Sequence, residues 1–104
     1  MKIKLISIGK TDNKNLQILI NDYTKRLNHY VKFSFDTIPD LKKSKNLTES
    51  QQKEKEGTLI LSKLKSSDIM ILLDEHGTHF DSVSFSTYLQ KHMNSGIKNL
   101  VFVI

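Results

Sequence analysis

The 104-residue sequence contains no cysteine, and Arg26 is its only arginine. Without cysteine the chain can form neither a disulfide framework nor a thiolate metal site, so thiol chemistry is excluded. No apolar run is long enough for a membrane span or for the core of a signal peptide, and lysines interrupt the apolar residues of the N-terminal segment. We therefore predict a cytoplasmic protein that makes no contact with a membrane.

Positive charge exceeds negative charge in the chain. Lys and Arg number 16 against 11 Asp and Glu, which gives a formal net charge of +5. Such an excess favours polyanionic partners through counterion release, although a lysine-rich surface that only confers solubility has the same composition. A chain of this length can bury one modest core, so we expect a single domain over residues 1–104.

Four stretches have the apolar spacing of β-strands. Residues 2–8 predict a strand that Gly9 ends, and residues 31–35 alternate like a half-exposed strand at a sheet edge. Residues 69–73 and 100–104 are continuous apolar runs, which are typical of parallel strands covered on both faces. We expect the strand over 69–73 to be central in the sheet.

Three helical stretches separate these strands. An apolar stripe begins at residue 16, preceded by three possible N-caps at positions 11 to 13. Thr48 and Gln51 have the spacing of a capping box for the second helix, in which Gly57 suggests a close approach of another element. Asp81 or Ser82 can cap the third. The alternation predicts an α/β fold, a mostly parallel sheet flanked by helices.

Ligands of such folds bind beyond the carboxyl ends of the strands. The two continuous apolar strands end at Leu73 and Asp74 and at Ile104, so these residues are expected to flank a binding crevice. The densest group of cations lies elsewhere, in a predicted basic loop with Lys42, Lys43 and Lys45. We expect those three lysines to contact RNA phosphates.

A second cluster carries side chains that could perform acid–base or metal chemistry. It follows the third strand and consists of Asp74, Glu75, His76 and His79. Carboxylates and imidazoles can bind divalent metals or transfer protons near neutral pH. No spacing places several of them on one face, and no nucleophile is tied to them, so we predict no metal site. A small hydrolase or metal-dependent enzyme remains one alternative.

Several segments together resemble the ribosomal RNA large-subunit methyltransferase H family, of the knotted SPOUT class. The most specific is the turn formed by Leu73, Asp74, Glu75 and Gly77, followed by a helix start with Ser82 and Phe85. The other matching segments are residues 1–10, 54–57 and 101–104. The resemblance spans the chain, whereas the strands alone would fit many α/β proteins.

The resemblance implies a function, a fold and a set of partners. It implies transfer of a methyl group from S-adenosylmethionine to N3 of a pseudouridine in large-subunit rRNA, by a homodimer acting on the assembled ribosome. Leu73 matches a cofactor-contacting position, Asp74 follows it at the rim, and Ile104 precedes a cofactor-contacting glycine. In the family a C-terminal trefoil knot completes the site, so the chain is expected to be the N-terminal portion, truncated after the strand ending at Ile104.

The catalytic residues stay unassigned, and no metal is implied. A non-catalytic RNA- or ribosome-binding module is the second alternative, because the basic charge permits it. Affinity for S-adenosylmethionine would separate this module from a methyltransferase.

Overall fold

The computed structural model describes residues 1–9, 13–38 and 48–104. Its elements are β1 (Lys2–Ile8), α1 (Lys14–Leu27), β2 (Lys32–Ile38), α2 (Glu49–Ser62), β3 (Asp68–Leu72), α3 (Ser82–Asn94) and β4 (Asn99–Val103). All strands are parallel, in the order β2-β1-β4-β3. The predicted α/β class and the edge position of β2 are confirmed. In the described ranges no helix is long and apolar enough to cross a membrane.

The core lies between the sheet and α2. Register pairs Ile6 with Val103, and these side chains are buried together with Ile38 and Val101. Ile60, in the second half of α2, and Leu64, just after the helix, pack against them. The opposite face of the sheet carries Phe102, against which Phe85 of α3 packs with ring centroids 6.0 Å apart. The sheet thus has an α2 face and an α3 face.

Each helix begins at a side chain that accepts backbone hydrogen bonds. Asn13 Oδ1 accepts from the N–H groups of Asn15 and Leu16, at 2.9 and 3.3 Å. Thr48 forms the predicted capping box with Gln51, and Asp81 caps α3. These contacts satisfy amide groups that would otherwise lack partners in the first turn. The capping predictions are confirmed: Asn13 and Asp81 are the caps among the predicted candidates, and Thr48 caps α2 as predicted.

Two details of the sequence prediction are wrong. β3 is an edge strand in the described part of the chain, and Met70 and Leu72 on its α2 face are 42% and 63% exposed. A continuous apolar run indicates that both faces of a strand suit burial, but it does not indicate which strands lie next to that strand. Gly57 was expected to mark close packing, yet an added Cβ there would meet no atom of the described residues within 4 Å.

Candidate cofactor site

The carboxyl ends of β3 and β4 lie side by side. The backbone N–H of Leu73 donates to the carbonyl of Val103 at 2.8 Å, and the N–H of Ile104 donates to the carbonyl of Ile6 at 2.9 Å. Leu73 and Ile104 are therefore each tied to a neighbouring strand at one edge of the sheet. Thirty residues separate them in sequence, and parallel pairing brings them together as the sequence predicts.

The Leu73 side chain leaves apolar surface open to solvent at this edge. Leu73 is 47% exposed, whereas Val103, whose carbonyl accepts its backbone hydrogen bond, is buried. Leu73 and Ile104 each lie just beyond the last residue of their strand. Apolar surface beside a polar turn is the usual lining of a small-molecule site.

Asp74 begins a tight turn beside Leu73. Its carbonyl accepts from the N–H of Gly77 at 3.0 Å, and its Oδ1 accepts from the N–H of His76 at 3.3 Å. A Cβ at position 77 would lie 3.2 Å from the Asp74 carbonyl, so the turn favours glycine there. The turn fixes the direction of the chain and holds the exposed Asp74 carboxylate at the rim of the edge.

The acid–base alternative gains no geometric support from this turn. The imidazole Nε2 of His76 lies 3.4 Å from Glu75 Oε1, and the Asp74 carboxylate accepts from the backbone N–H of His76 and not from its imidazole. Both side chains of the Glu75 and His76 pair are more than 80% exposed. In the ranges that the structure describes, no group of three or more His, Cys, Asp or Glu side chains is placed to hold a metal ion.

An aromatic cluster anchors the segment between the turn and α3. Phe80 lies 5.1 Å from Tyr88 and 6.1 Å from Phe85, measured between ring centroids, and Tyr88 meets His92 edge-on at 4.6 Å. The sequence alone indicates no role for Phe80 or His92. The spacing of four between Tyr88 and His92 on a helix was the available signal for their contact.

Asp81 closes this segment at the start of α3. The backbone N–H of Ser84 donates to its carboxylate at 2.7 Å, and this bond holds the pKa of Asp81 below its ordinary value. The charged carboxylate is also suited to the positive end of the helix dipole. The chain leaving the candidate site is thus fixed at its far end.

The three lysines of the predicted basic loop, Lys42, Lys43 and Lys45, fall outside the described residues.

Comparison with known proteins identifies the family. The profile of the family described as "Predicted SPOUT methyltransferase" matches residues 1–104. Relatives named "Ribosomal RNA large subunit methyltransferase H" are 69% identical in Flavobacterium johnsoniae, 68% in Flavobacterium psychrophilum and 62% in Christiangramia forsetii. Each match covers all 104 residues, and the chain spans 66% of the length of these relatives. The resemblance seen in the sequence is confirmed, and the chain belongs to the SPOUT methyltransferase family.

Proposed function

We propose that the whole protein is an S-adenosylmethionine-dependent methyltransferase of large-subunit rRNA, acting on N3 of a pseudouridine in the assembled ribosome. The observation that carries this proposal is the pairing of the β3 and β4 ends, which presents Leu73, Asp74 and Ile104 at one edge. The name shared by the relatives supports rRNA as the substrate. Since ribosomes are its substrate, we place the protein in the cytoplasm.

The residues at this edge fit the proposed cofactor. Leu73 offers exposed apolar surface to the adenine ring or to the methionine chain, and Ile104 lies on the neighbouring strand at the same edge. The exposed Asp74 carboxylate can accept hydrogen bonds from ribose hydroxyls, as a strand-end carboxylate does in dinucleotide sites. When bound, S-adenosylmethionine supplies a methyl group already activated on a sulfonium. We propose these three residues as cofactor contacts.

The contribution of the chain to the reaction is alignment. Because the donor is already activated, the main requirement is to hold donor and acceptor in line, which can contribute on the order of 7 kcal/mol. The main chain at Leu73 and Ile104 is suited to this, since each amide is bonded to an adjacent strand at 2.8 or 2.9 Å. A mobile loop could not hold these side chains with comparable accuracy.

Two partner assignments complete the proposal: the homodimer follows from the family resemblance, and the lysine contacts follow from the charge of the predicted basic loop. We propose that the protein acts as a homodimer and that Lys42, Lys43 and Lys45 contact rRNA phosphates. Light scattering tests the first. For the second, the Lys42, Lys43 and Lys45 to Gln triple variant should bind ribosomes more weakly and with a smaller salt dependence. Unchanged ribosome binding would refute it.

Calorimetric titration of S-adenosylmethionine tests the proposed function. It is performed on the 104-residue chain and on a chimera in which the C-terminal segment of the Flavobacterium johnsoniae relative follows Ile104. We expect binding by the chimera and a loss of at least about tenfold in Leu73→Asp, equivalent to ~1.4 kcal/mol. Leu61→Asp is the matched control, because Leu61 is also exposed but lies in the last turn of α2.

The same titration decides between the proposal and its alternative. A non-catalytic RNA- or ribosome-binding module is favoured by the net charge of +5 and needs no affinity for S-adenosylmethionine. Absence of heat from both the chain and the chimera, with both proteins folded, would rule out the cofactor site and support the module.

A further inference from the structure

The amino ends of the strands form the edge of the sheet opposite the candidate cofactor site. There the register aligns the first residue of every strand in one row: Lys32, Lys2, Asn99 and Asp68. Residues paired across parallel strands share a face, and alternation along β1 places Lys2 on the face of the buried Ile6. The row therefore lies on the α2 face, at its amino edge.

A cleft of about 380 Å³ opens at this row, lined by the strand starts, by Asn28 at the end of α1 and by residues at and after the end of α2. We call it the amino-edge cleft. Lysine dominates its polar lining, since the row supplies Lys2 and Lys32, and the end of α2 adds Lys63 and Lys65. Lys4 also lines it but is neutralised by Asp36, whose Oδ2 lies 3.3 Å from the Lys4 ammonium.

The adjacent lysines Lys2 and Lys32 are unfavourable for the isolated sheet. Like charges directly opposite each other on neighbouring strands are destabilising. Both side chains are exposed, as is Lys63, and among the described residues none of the three forms an ion pair. A cation at a helix C-terminus can be explained by the helix dipole, which accounts for Lys63 but not for the two strand lysines.

Asp68 is the one acid among the described residues that line the cleft, and it already accepts hydrogen bonds. Asp68 Oδ1 accepts from Asn99 Nδ2 at 2.9 Å, and Asp68 Oδ2 accepts from the N–H of Lys65 at 2.9 Å. Both carboxylate oxygens therefore bond within the floor of the cleft, and the single negative charge of Asp68 stands against the four lysines Lys2, Lys32, Lys63 and Lys65. A mobile anion would relieve their mutual repulsion.

We propose that the amino-edge cleft binds the phosphodiester backbone of RNA. Lysine ammonium groups recognise phosphates as point charges and carry no base specificity, so the contact would fix position and not sequence. The seven residues of β1 separate this cleft from the cofactor edge by about 20 Å, at ~3.3 Å per residue. The inference extends the proposed function by adding an rRNA contact remote from the acceptor nucleotide.

The test compares two variants of equal charge. One replaces Lys2, Lys32 and Lys63 by Gln, and the control replaces Lys14, Lys55 and Lys91 by Gln, which lie outside the cleft and form no ion pair in the described part of the chain. Anisotropy of a fluorescein-labelled RNA duplex is measured from about 50 to about 200 mM KCl. We expect the cleft variant to reduce the slope of log affinity against log salt by about 3.

The expected loss of affinity at about 50 mM KCl is at least tenfold for the cleft variant and less than threefold for the control. The corresponding triple Lys→Arg variant should retain affinity, which shows that charge and not folding is responsible. Equal losses in the two Gln variants, no loss in the cleft variant, or no binding by the unsubstituted protein would each overturn the inference. Titration with S-adenosylmethionine judges the proposed function separately.

Discussion

Asp68 connects the start of β3 with the segment before it and with β4. The backbone hydrogen bond from Lys65 holds the pKa of Asp68 below its ordinary value of 3.8. The side-chain bond from Asn99 and the charges of Lys65 and Lys4 act in the same direction, while burial opposes them. The charged carboxylate is therefore part of the folded structure and stabilises it.

Asp68→Asn should flatten the acid limb of the stability profile. The pKa of Asp68 is lower in the folded state than in the unfolded state, so its contribution to the unfolding free energy is fully present above the unfolded pKa. That contribution is lost as the pH falls through the folded pKa. Between about pH 5 and about pH 3 the unfolding free energy of the unsubstituted protein should therefore fall further than that of the Asp68→Asn variant. The difference should be under about 1 kcal/mol, because the Asp68 carboxylate is solvent-accessible. Urea unfolding measures this. Parallel pH profiles would contradict it, and Asp22→Asn controls for the charge.

The first half of α2 is polar and largely exposed, so the stability of this helix depends on the capping contacts at its first residues. Thr48 Oγ1 accepts from the N–H of Gln51 at 3.1 Å, and Gln51 Oε1 accepts from the N–H of Thr48 at 3.1 Å. Thr48→Ala should lower the unfolding free energy by about 1 kcal/mol in urea titration. Thr48→Ser retains the hydroxyl and should lose less than half as much. Equal losses in the two variants would refute a capping role.

The two strands that flank β4 should respond differently to truncation. Ile6 of β1 is 0% exposed, whereas Leu72 of β3 is 63% exposed. Ile6→Ala should cost about 2 to 5 kcal/mol through lost burial and the cavity left behind, and Leu72→Ala should stay within about 0.5 kcal/mol. Chemical denaturation of both variants checks the pair. A large cost at Leu72 would mean that β3 is covered in solution.

The elements that could be predicted are those specified by local sequence. Helix ends were readable because Thr48 and Asp81 bond to amides only three residues away. The neighbours of β3 were not, since strand order depends on contacts between distant segments. Leu73 and Ile104 could be placed together because both end an apolar run. The amino-edge cleft was missed, because Lys2 and Lys32 become adjacent only through the strand register.

At the scale of the whole molecule, the parallel sheet has two edges of different character. Every strand points the same way, so all strand starts lie at one edge and all strand ends at the other. The carboxyl edge carries apolar side chains and the acidic turn of Asp74 and Glu75, whereas lysines outnumber acids among the described residues that line the amino-edge cleft. We infer that the two edges have separate roles, with the cofactor bound at one edge and the RNA backbone at the other.

If the two edges act independently, the stabilisation of the protein by bound S-adenosylmethionine should not depend on the lysines of the amino-edge cleft. In the chimera, S-adenosylmethionine at about 100 times its Kd should raise the unfolding free energy by ~2.7 kcal/mol. A tenfold weaker Leu73→Asp variant should gain only ~1.4 kcal/mol at that concentration. The Lys2, Lys32 and Lys63 to Gln variant should keep the full increment, because its substitutions lie about 20 Å from the cofactor edge. Urea unfolding with and without cofactor measures all three. A reduced increment in the lysine variant would show that the two edges are coupled and would refute their independence.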